Sequence, residues 1–516
     1  MPFHFAPRLQ RHALVPLLLF AAACKGDDRP FPQNFQFGTA VAGFQVEMGC
    51  PTVAATECED RNSDWYAYIT TPALVQDSTL YLNGDPPSVG PGFYELYPQD
   101  VARAADELRT NALRISIEWS RLFPTSTESI AADNFTALRA AADPKALAYY
   151  HSLLQTLRQR GQRPLVTINH YTLPTWIHDA VACHADLSTC TARGWVDRTR
   201  IVPEIAKYAG FLAKEFGNDV DLWATLNEPF TAVVVAGYIL LTPTRTNPPG
   251  VSLRSAEAKT ATLAMIEAHA RMYDAVKQYD TVDADNDGRP SRVGLVYNIS
   301  PVQPANPGNP VDVTGANNLH YLLNQVFLDG VARGRVDENF DGNQVTRQDL
   351  VGRMDYIGLN YYNRTTATGT PGPILPDLSP LLTVDPTNLQ FDYADPKGLY
   401  DSLNFVKGYG LPIIITETGF EDQTDTGTAA RWVVETLNWT ARALREGVPI
   451  EGYYYWTLMD NYEWNHGADI RLGLYAVDKN DPQKVRRARK SVAAYRRIIQ
   501  ARDIPADLTT AYPPLR

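Results

Sequence analysis

The sequence predicts a single (β/α)8 (TIM) barrel with long loops at the carboxyl-terminal face of its strands. Three observations support this fold class: short apolar runs recur along the chain, longer helical patterns separate them, and polar or aromatic residues follow many of the runs. Runs that are apolar throughout indicate strands buried on both faces, as in a parallel sheet. Alternation of such strands with helices closes a barrel within one domain.

Eight apolar, β-branched runs are the candidate strands. They are Phe35–Val41, Leu113–Trp119, Pro164–His170, Leu222–Asn227, Arg292–Asn298, Tyr356–Tyr361, Pro412–Thr416 and Gly452–Leu458. The helical patterns between them include Pro98–Arg109, Ala146–Arg160, Ile201–Phe216, Ala256–Tyr279 and Ala429–Arg445. The stretches 42–97 and 363–411 are too long for simple connections, so we expect loops or extra elements there.

Composition and charge narrow the class of protein. The 516 residues suit one large barrel with insertions, and 44% hydrophobic with 20% charged residues is ordinary for a soluble globular protein. The net charge of -11 argues against nucleic-acid and anionic-membrane partners, so we expect neither. The basic run from Lys484 to Lys490 is most simply a solvated helix face.

The N-terminus has the pattern of an export signal. An apolar run over residues 13–23 follows arginines, ends at Cys24 and is too short to span a bilayer. Small residues directly before Cys24 resemble a bacterial lipobox. We therefore predict a signal over 1–24, a tether over 25–34 and the barrel domain over 35–516. The protein would be exported and held in the bacterial envelope by a lipid on Cys24, with plain secretion or a periplasmic location as the alternative.

The four other cysteines indicate disulfides, because their number is even and the chain is predicted to be exported. Short separations favour Cys50–Cys58 and Cys183–Cys190, and free thiols are the alternative. A zinc site is disfavoured, since neither pair has the two-residue spacing of zinc ligands.

Two acidic stretches, 283–288 and 337–342, resemble the first half of a calcium loop, with alternating oxygen ligands before a glycine. Position 12 of such a loop should be a glutamate, but Gly294 and Gln348 stand there. We favour solvated turns at both stretches over calcium sites.

Two glutamates follow predicted strands on opposite sides of the barrel. Glu228 comes after the fourth strand and Glu417 after the seventh, so both should reach the mouth where such barrels carry their chemistry. Cleavage of an acetal needs a proton for the leaving oxygen and stabilisation of positive charge at the anomeric carbon, and two carboxyls can supply both. A separation of about 5–5.5 Å between them would give retention of configuration.

Seven motifs come in the order found in glycoside hydrolase family 1, the family of β-glucosidases and β-galactosidases. They lie at 35–40 with Gln45, 113–124, 169–174, 225–229, 355–362, 415–419 and 456–464. The chain resembles this family over nearly everything after residue 30. The stretch Trp176–Asp179 is similar to the archaeal-type branch.

The resemblance implies a role for each matching residue, and it implies no cofactor and no metal. Glu228 would be the acid/base, and Glu417 would be the nucleophile that forms a covalent glycosyl-enzyme. Arg114 and Asn360 would tune the nucleophile, with the Arg114 guanidinium holding its pKa down. The substrate-binding residues would be Gln45, His170, Asn227, Tyr362, Trp456, Glu463 and Trp464, because indoles suit the apolar face of a sugar and the polar groups suit its hydroxyls.

The expected activity is that of a retaining exo-β-glycosidase acting on β-D-glucosides or β-D-galactosides. A carboxylate at Glu463 would repel a 6-phosphate, so non-phosphorylated substrates are favoured. The alternatives are a catalytically silent surface glycan-binding lipoprotein and a transglycosidase. The sequence leaves the sugar epimer, the aglycone and the oligomeric state open. Thr418 departs from the family pattern beside the nucleophile, and Tyr171 stands where tryptophan is common.

Overall fold

Eight parallel strands form the closed barrel that the sequence predicts. The computed structural model describes residues 29–239 and 245–515. The strands are β1 Gln36–Ala40, β2 Ala112–Ser116, β3 Arg163–Asn169, β4 Leu222–Asn227, β5 Arg292–Asn298, β6 Tyr356–Asn360, β7 Ile413–Thr418 and β8 Ile450–Trp456. Each strand pairs with the next along the chain, and β8 closes the barrel against β1. Strand β7 extends past its predicted end at Thr416, so Glu417 lies within it.

A helix separates each pair of successive strands, and another follows the last. These helices are α1 Phe93–Ala102, α2 Pro144–Gln159, α3 Arg198–Phe216, α4 Ser255–Tyr279, α5 Val326–Arg333, α6 Lys397–Lys407, α7 Thr428–Arg445 and α8 Lys490–Ala501. Helix α1 begins ahead of its predicted start at Pro98 and continues as a π-helix over Arg103–Leu108. The other four predicted helices, α2, α3, α4 and α7, are confirmed with small changes at their ends.

The two long stretches contain extra elements, as expected. In 42–97 these are the short helices Gly43–Glu47, Ala55–Cys58, Asp64–Thr70 and Pro72–Val75. In 363–411 the strands Arg364–Ala367 and Gln390–Asp392 form a small sheet with Val302–Pro304. A π-helix, Pro229–Ile239, follows β4 directly, and the helix Pro310–His320 runs through a π-turn, Tyr321–Gln325, into α5.

The remaining short elements cap the barrel and connect its parts. Short helices are Trp119–Leu122, Phe135–Ala141, Ala180–Ala185 and Ala506–Ala511, and single 3-10 turns are Pro87–Val89, Gly194–Val196, Gln348–Leu350, Pro386–Asn388 and Trp464–His466. Two-stranded antiparallel pairs are Arg335–Val336 with Val345–Thr346 and Tyr475–Val477 with Arg486–Ala488.

Alternate residues of the strands pack on opposite sides of the sheet. One set fills the barrel interior, where small alanines make room for the large rings of Tyr356 and Tyr454. The other set packs against the helices in the larger core. Polar residues are buried on this inner side as well: the Arg114 side chain is 1% exposed and forms an ion pair with Glu417.

The described part of the predicted tether is packed against the barrel. Phe31 is fully buried, and its ring lies 5.1 Å from that of Phe35 and 5.2 Å from that of Phe37, between centroids. The Arg502 guanidinium donates hydrogen bonds to the Phe31 carbonyl. The folded domain therefore begins by Phe31, ahead of the predicted start at 35. The predicted signal, 1–24, with Cys24, lies outside the described residues.

The prediction of a solvated helix face for the basic run is wrong. Arg486 lies on a strand and forms a bidentate ion pair with Asp100, with both side chains 1% exposed. Arg489 pairs in the same way with Asp460. These guanidinium groups are buried because each has a carboxylate partner from a distant part of the chain.

The favoured disulfides, Cys50–Cys58 and Cys183–Cys190, are both present. Each closes a short loop at the surface of the barrel. Among the described helices, we find none with the length and apolar character needed to cross a bilayer.

Candidate active site

A cavity of about 690 Å³ opens at the carboxyl-terminal ends of the strands. It brings together Glu228 and Glu417 with most of the predicted sugar-binding residues. The predicted residues that line it are His170, Glu228, Tyr362, Glu417, Trp456, Glu463 and Trp464. Gln45, Arg114, Asn227 and Asn360 are buried and touch this lining through hydrogen bonds.

Glu417 accepts hydrogen bonds from a cation and a phenol. Its Oε1 lies 2.5 Å from an Arg114 nitrogen, and its Oε2 accepts from the Tyr362 hydroxyl at 2.7 Å. Burial, and repulsion from Glu228, raise the pKa of Glu417 to about 7, while Arg114 and Tyr362 oppose that rise. These two contacts favour the ionised carboxylate that a nucleophile requires.

Glu228 is held by neutral donors. Its Oε2 accepts from the Tyr171 hydroxyl at 2.9 Å, and its Oε1 accepts from the Asn360 amide at 2.8 Å. Asn360 was expected beside the nucleophile, but its side chain donates to Glu228, and its own oxygen accepts from Thr416. The chain leaves β4 with Glu228 in the left-handed region, at φ 42°, a strained conformation that sites often retain to aim a side chain.

Arg114 and Asn227 link the two halves of the site. The Arg114 guanidinium donates to Glu417 and, at 2.7 Å, to the Asn227 oxygen, while its Nε donates to Thr167 at 2.9 Å. The Asn227 nitrogen lies 3.0 Å from the Tyr171 hydroxyl and 3.1 Å from His170 Nε2. Because the Asn227 side-chain oxygen accepts a hydrogen bond from Arg114, the side-chain nitrogen of Asn227 is the donor to His170 Nε2.

Among the predicted sugar-binding side chains, two buried atoms have no hydrogen-bond partner in the described part of the chain: Gln45 Oε1 and His170 Nδ1. Burial, with the charges of Arg114 and Arg245, lowers the pKa of His170 well below its usual value, so the ring is neutral. Since Nε2 accepts from Asn227, the proton sits on Nδ1. The free donor is on His170, which lines the cavity, and the free acceptor is on Gln45, which is bonded to the lining residue Glu463. Such atoms are costly to leave unpaired and would suit the hydroxyls of a sugar.

The short helix Gly43–Glu47 positions Gln45, whose nitrogen donates to Glu463 at 2.9 Å. The helix is anchored by a buried ion pair, 2.8 Å long, between Glu47 and Arg121. A carboxylate and an amide held together in this way match the paired hydroxyls along the edge of a pyranose.

Aromatic rings form one wall of the cavity. Trp464 is stacked near-parallel to His170, with centroids 5.9 Å apart, and packs against Tyr171 at 4.8 Å and Trp65 at 4.6 Å. Trp456 is stacked near-parallel to His170 at 5.8 Å. The two indoles thus give the cavity an apolar wall, a surface of the kind that suits the C–H face of a sugar.

Arg245 is a site residue that the sequence reasoning missed. It follows the π-helix after β4, lines the cavity, and its guanidinium lies 5.8 Å from the centre of the Tyr171 ring. Burial raises the pKa of Glu463 to about 7, and the charge of Arg245 opposes that rise. The segment around Arg245 has no periodicity or motif, so nothing in the local sequence marked it.

Thr418, the residue after Glu417 that differs from the family pattern, faces away from the site. Its hydroxyl accepts a hydrogen bond from the Trp432 indole of α7 at 3.0 Å. The side chain therefore joins the strand to the helix layer and makes no contact with the carboxylate of Glu417, which lies between Arg114 and Tyr362.

In each acidic stretch the carboxylate of the first aspartate closes a turn by accepting from later backbone amides. Asp283 accepts from the amides of Asp287 and Gly288, and Asp337 accepts from those of Asp341 and Gly342. Asp283 and Asp285 also approach Asp221, with one oxygen of each within 4.8 Å of the others. In the stretch 283–288 the turn residues 286–288 are exposed, as expected of a solvated turn, whereas Asp337 in the second stretch is buried at 2% exposure.

Glycoside hydrolases use a pair of carboxyl groups, held by different hydrogen-bond donors, as their catalytic groups. Comparison with known proteins places the chain in this class of enzymes. Residues 27–504 match the model of glycosyl hydrolase family 1, and the chain belongs to this family. The resemblance and the fold predicted from the sequence are both confirmed.

The relatives found include archaeal enzymes. The chain is 35% identical over 508 residues to a β-galactosidase of Pyrococcus woesei, a match that covers 91% of this chain and 97% of that protein. It is 32% identical over 510 residues to a β-galactosidase of Sulfolobus acidocaldarius, covering 93% and 96%. The crystal structure of the β-glycosidase from Thermosphaera aggregans superposes with a TM-score of 0.77, at 28% identity, covering 93% and 98%.

Proposed function

We propose that the protein is a retaining exo-β-glycosidase that releases terminal, non-phosphorylated β-D-glucose or β-D-galactose by double displacement. The observation that carries this proposal is the unequal setting of the two carboxyls in one cavity. Glu417 has a charged donor, whereas the donors to Glu228 within the described residues, Tyr171 and Asn360, are neutral. A nucleophile and an acid/base need such a difference between two chemically identical groups.

In the first step Glu417 attacks the anomeric carbon, and the bond to the leaving oxygen breaks as Glu228 gives that oxygen its proton. Arg114 and Tyr362 hold Glu417 in its ionised form until the bond to the sugar is made. In the second step Glu228 takes a proton from water, the water oxygen attacks the same carbon, and Glu417 departs. Two inversions give net retention.

Gln45, His170 and Glu463 would bind the sugar hydroxyls, while Trp456 would lie against its apolar face. The names of the archaeal relatives support β-galactosides, and the family also contains proteins named for glucosides. A glycan-binding protein without turnover would not need a buried carboxylate with a charged donor, since each buried charge costs free energy.

The test is to replace each carboxyl and follow aryl β-glycosides. We expect Glu417→Ala to lower kcat by at least about 10⁴-fold, with azide restoring turnover as the inverted glycosyl azide. Glu228→Ala should slow substrates with poor leaving groups most, by about 10²–10⁴-fold, because they need the proton. Wild-type rates in Glu417→Ala, or a uniform loss in Glu228→Ala, would contradict these roles.

We also propose that the protein is exported and attached to the bacterial envelope through a lipid on Cys24. The lipobox-like sequence supports this location, and two disulfides are typical of an oxidising compartment. The full chain, expressed in a bacterium fed an alkyne-tagged fatty acid, should take up the tag, while Cys24→Ser should not. Equal labelling of both would rule out the lipid, and release of unlabelled protein would indicate secretion.

A further inference from the structure

The disulfide between Cys50 and Cys58 lies at the carboxyl-terminal end of the short helix that carries Gln45. We call the segment that it closes, residues 50–58, the disulfide loop. The Cys50 and Cys58 sulfur atoms lie 3.6 Å and 3.3 Å from the Glu47 carbonyl oxygen, at the last residue of the helix. Cys58 is buried at 1% exposure. The disulfide is therefore part of the packing that surrounds this end of the helix.

The helix that carries Gln45, Gly43–Glu47, has only five residues and is too short to be stable by itself. Its orientation must come from the contacts at its two ends. At the amino-terminal end the Gly43 amide donates to the Ser116 hydroxyl at 2.7 Å. Gln45 lies in the middle of the helix and donates to Glu463 at 2.9 Å. The direction of the Gln45 side chain therefore depends on how firmly both ends are held.

Arg121 connects the carboxyl-terminal end of the helix to the disulfide loop. Its guanidinium forms an ion pair with Glu47, and its two terminal nitrogens donate to the carbonyl oxygens of Glu57 and Cys58, each at 2.8 Å. Arg121 is 8% exposed and Glu47 is 2% exposed. Because a buried charge is costly unless its partners stay in place, the two carbonyls of the disulfide loop determine where Arg121 can hold Glu47.

The disulfide restricts the part of the chain that supplies these two carbonyls. A crosslink between the ends of a short loop removes conformations that the loop would otherwise adopt. Without it, the carbonyls of Glu57 and Cys58 would be aligned with Arg121 for only part of the time. The end of the helix at Glu47 would then be held less firmly, and Gln45 with it.

The second disulfide, between Cys183 and Cys190, closes a loop of similar length that has no such connection. The paired cysteines are seven residues apart in this loop and eight apart in the disulfide loop. Its sulfur atoms lie against the carbonyl oxygens of Asp179 and Ala192. Neither of these residues lines the cavity that contains the two catalytic carboxyls, the catalytic cavity. The chain thus offers its own comparison between two disulfides.

We propose that Cys50, Cys58 and Arg121 are positioning residues for sugar binding. The disulfide fixes the carbonyls that hold Arg121, and Arg121 fixes the helix that presents Gln45 to the sugar. This role rests on the proposed glycosidase function. It extends that function by giving one of the two disulfides a part in substrate recognition in addition to stability.

The experiment is a double-mutant cycle, measured as kcat/KM on an aryl β-glycoside of the sugar that the wild type hydrolyses faster. Cys50→Ala together with Cys58→Ala should lower kcat/KM by about tenfold in the otherwise wild-type chain. In a chain that carries Gln45→Ala, the same pair should lower kcat/KM by less than about twofold, because the contact that the disulfide positions is already gone. A purely structural role would give equal losses in both chains.

The matched control is Cys183→Ala together with Cys190→Ala, whose kcat/KM should stay within about twofold of the parent chain with or without Gln45. Cys50→Ala with Cys58→Val keeps more of the buried volume and replaces the alanine pair if that pair does not fold. All assays are made well below the melting temperature of each variant. Equal losses with and without Gln45, or no loss in a folded variant, overturn the positioning role alone. Failure of the wild type to hydrolyse any aryl glycoside overturns the proposed function instead.

Discussion

At the scale of single residues, the difference between the two carboxyls depends on which donors reach them. Arg114 and Tyr362 donate to Glu417, whereas Tyr171 and Asn360 donate to Glu228. Burial alone would make both charges costly. The charged donor is therefore the feature that opposes the effect of burial and favours the ionised form of Glu417.

A pH profile of kcat/KM tests this assignment. Since the raised pKa of Glu417 is about 7, its ionised fraction falls as the pH drops below that value, and kcat/KM should fall with it. Tyr362→Phe removes a hydrogen bond that favours the ionised form. The pKa of Glu417 should rise further, and the acid limb should move to higher pH by about one unit.

The matched control for Tyr362→Phe is Tyr171→Phe, which removes the same hydroxyl from beside the other carboxyl. It should leave the acid limb in place while lowering the rate. An acid limb that moves equally in both variants, or in neither, would show that Glu417 does not govern it.

At the scale of elements, the strands were predictable from their apolar pattern, whereas the predicted site residues outside the strands, such as Gln45, Glu463 and Trp464, depended on the resemblance to the family. A parallel barrel brings the ends of all its strands to one rim, so Arg114 on β2, Asn227 on β4 and Glu417 on β7 had to meet. Arg245 lies in a part of the sequence that has no periodicity and no motif. Its place beside the Tyr171 ring depends on packing that only the folded chain shows.

Among the helices too, those with a regular periodic pattern were predictable from the sequence. The five predicted helices have clear periodic patterns, whereas the short helix α5 was not individually predicted, because it continues from a π-turn that interrupts the period. The basic run was misread because local sequence records a charge but not its partner. Asp100 is nearly 400 positions away from Arg486 in the chain, with a separation of 386 residues.

Asn360 illustrates how strand order alone leaves the direction of a side chain open. The end of β6 lies beside the end of β7, and Asn360 is in register with Glu417. Its side chain nevertheless reaches Glu228, because its oxygen is fixed by Thr416 and only its nitrogen is left to donate. Strand order determines which residues lie near Asn360, but the hydrogen-bond partners determine which of them its side chain contacts.

At the scale of the whole molecule, the barrel is sealed where its first and last strands meet. Strand β1 pairs with β8, and the residues just before β1 cover the base of the barrel through Phe31. Arg502, directly after α8, binds the Phe31 carbonyl and so joins the two ends of the domain. The N-terminal residues from Phe31 onward are therefore part of the fold and not a linker.

Two truncations test where the domain begins. Removal of residues 1–28 should leave the melting temperature unchanged, whereas removal of 1–34 should lower it by several degrees, because it deletes the buried Phe31 ring. Phe31→Ala in the full chain should reproduce most of that loss, since it costs about 3–5 kcal/mol to truncate a buried phenylalanine. Gln33→Ala, at an exposed position, is the control.

Thermal scans at one fixed rate would measure these differences, because large proteins often unfold irreversibly. The kcat/KM of each folded variant should match the wild type, since Phe31 precedes β1 and lies at the opposite end of the barrel from Glu417. Equal melting temperatures for the two truncations would place the start of the stable domain after residue 34, as the sequence pattern alone indicated. A loss of activity without a loss of stability would instead link this end of the barrel to the catalytic cavity.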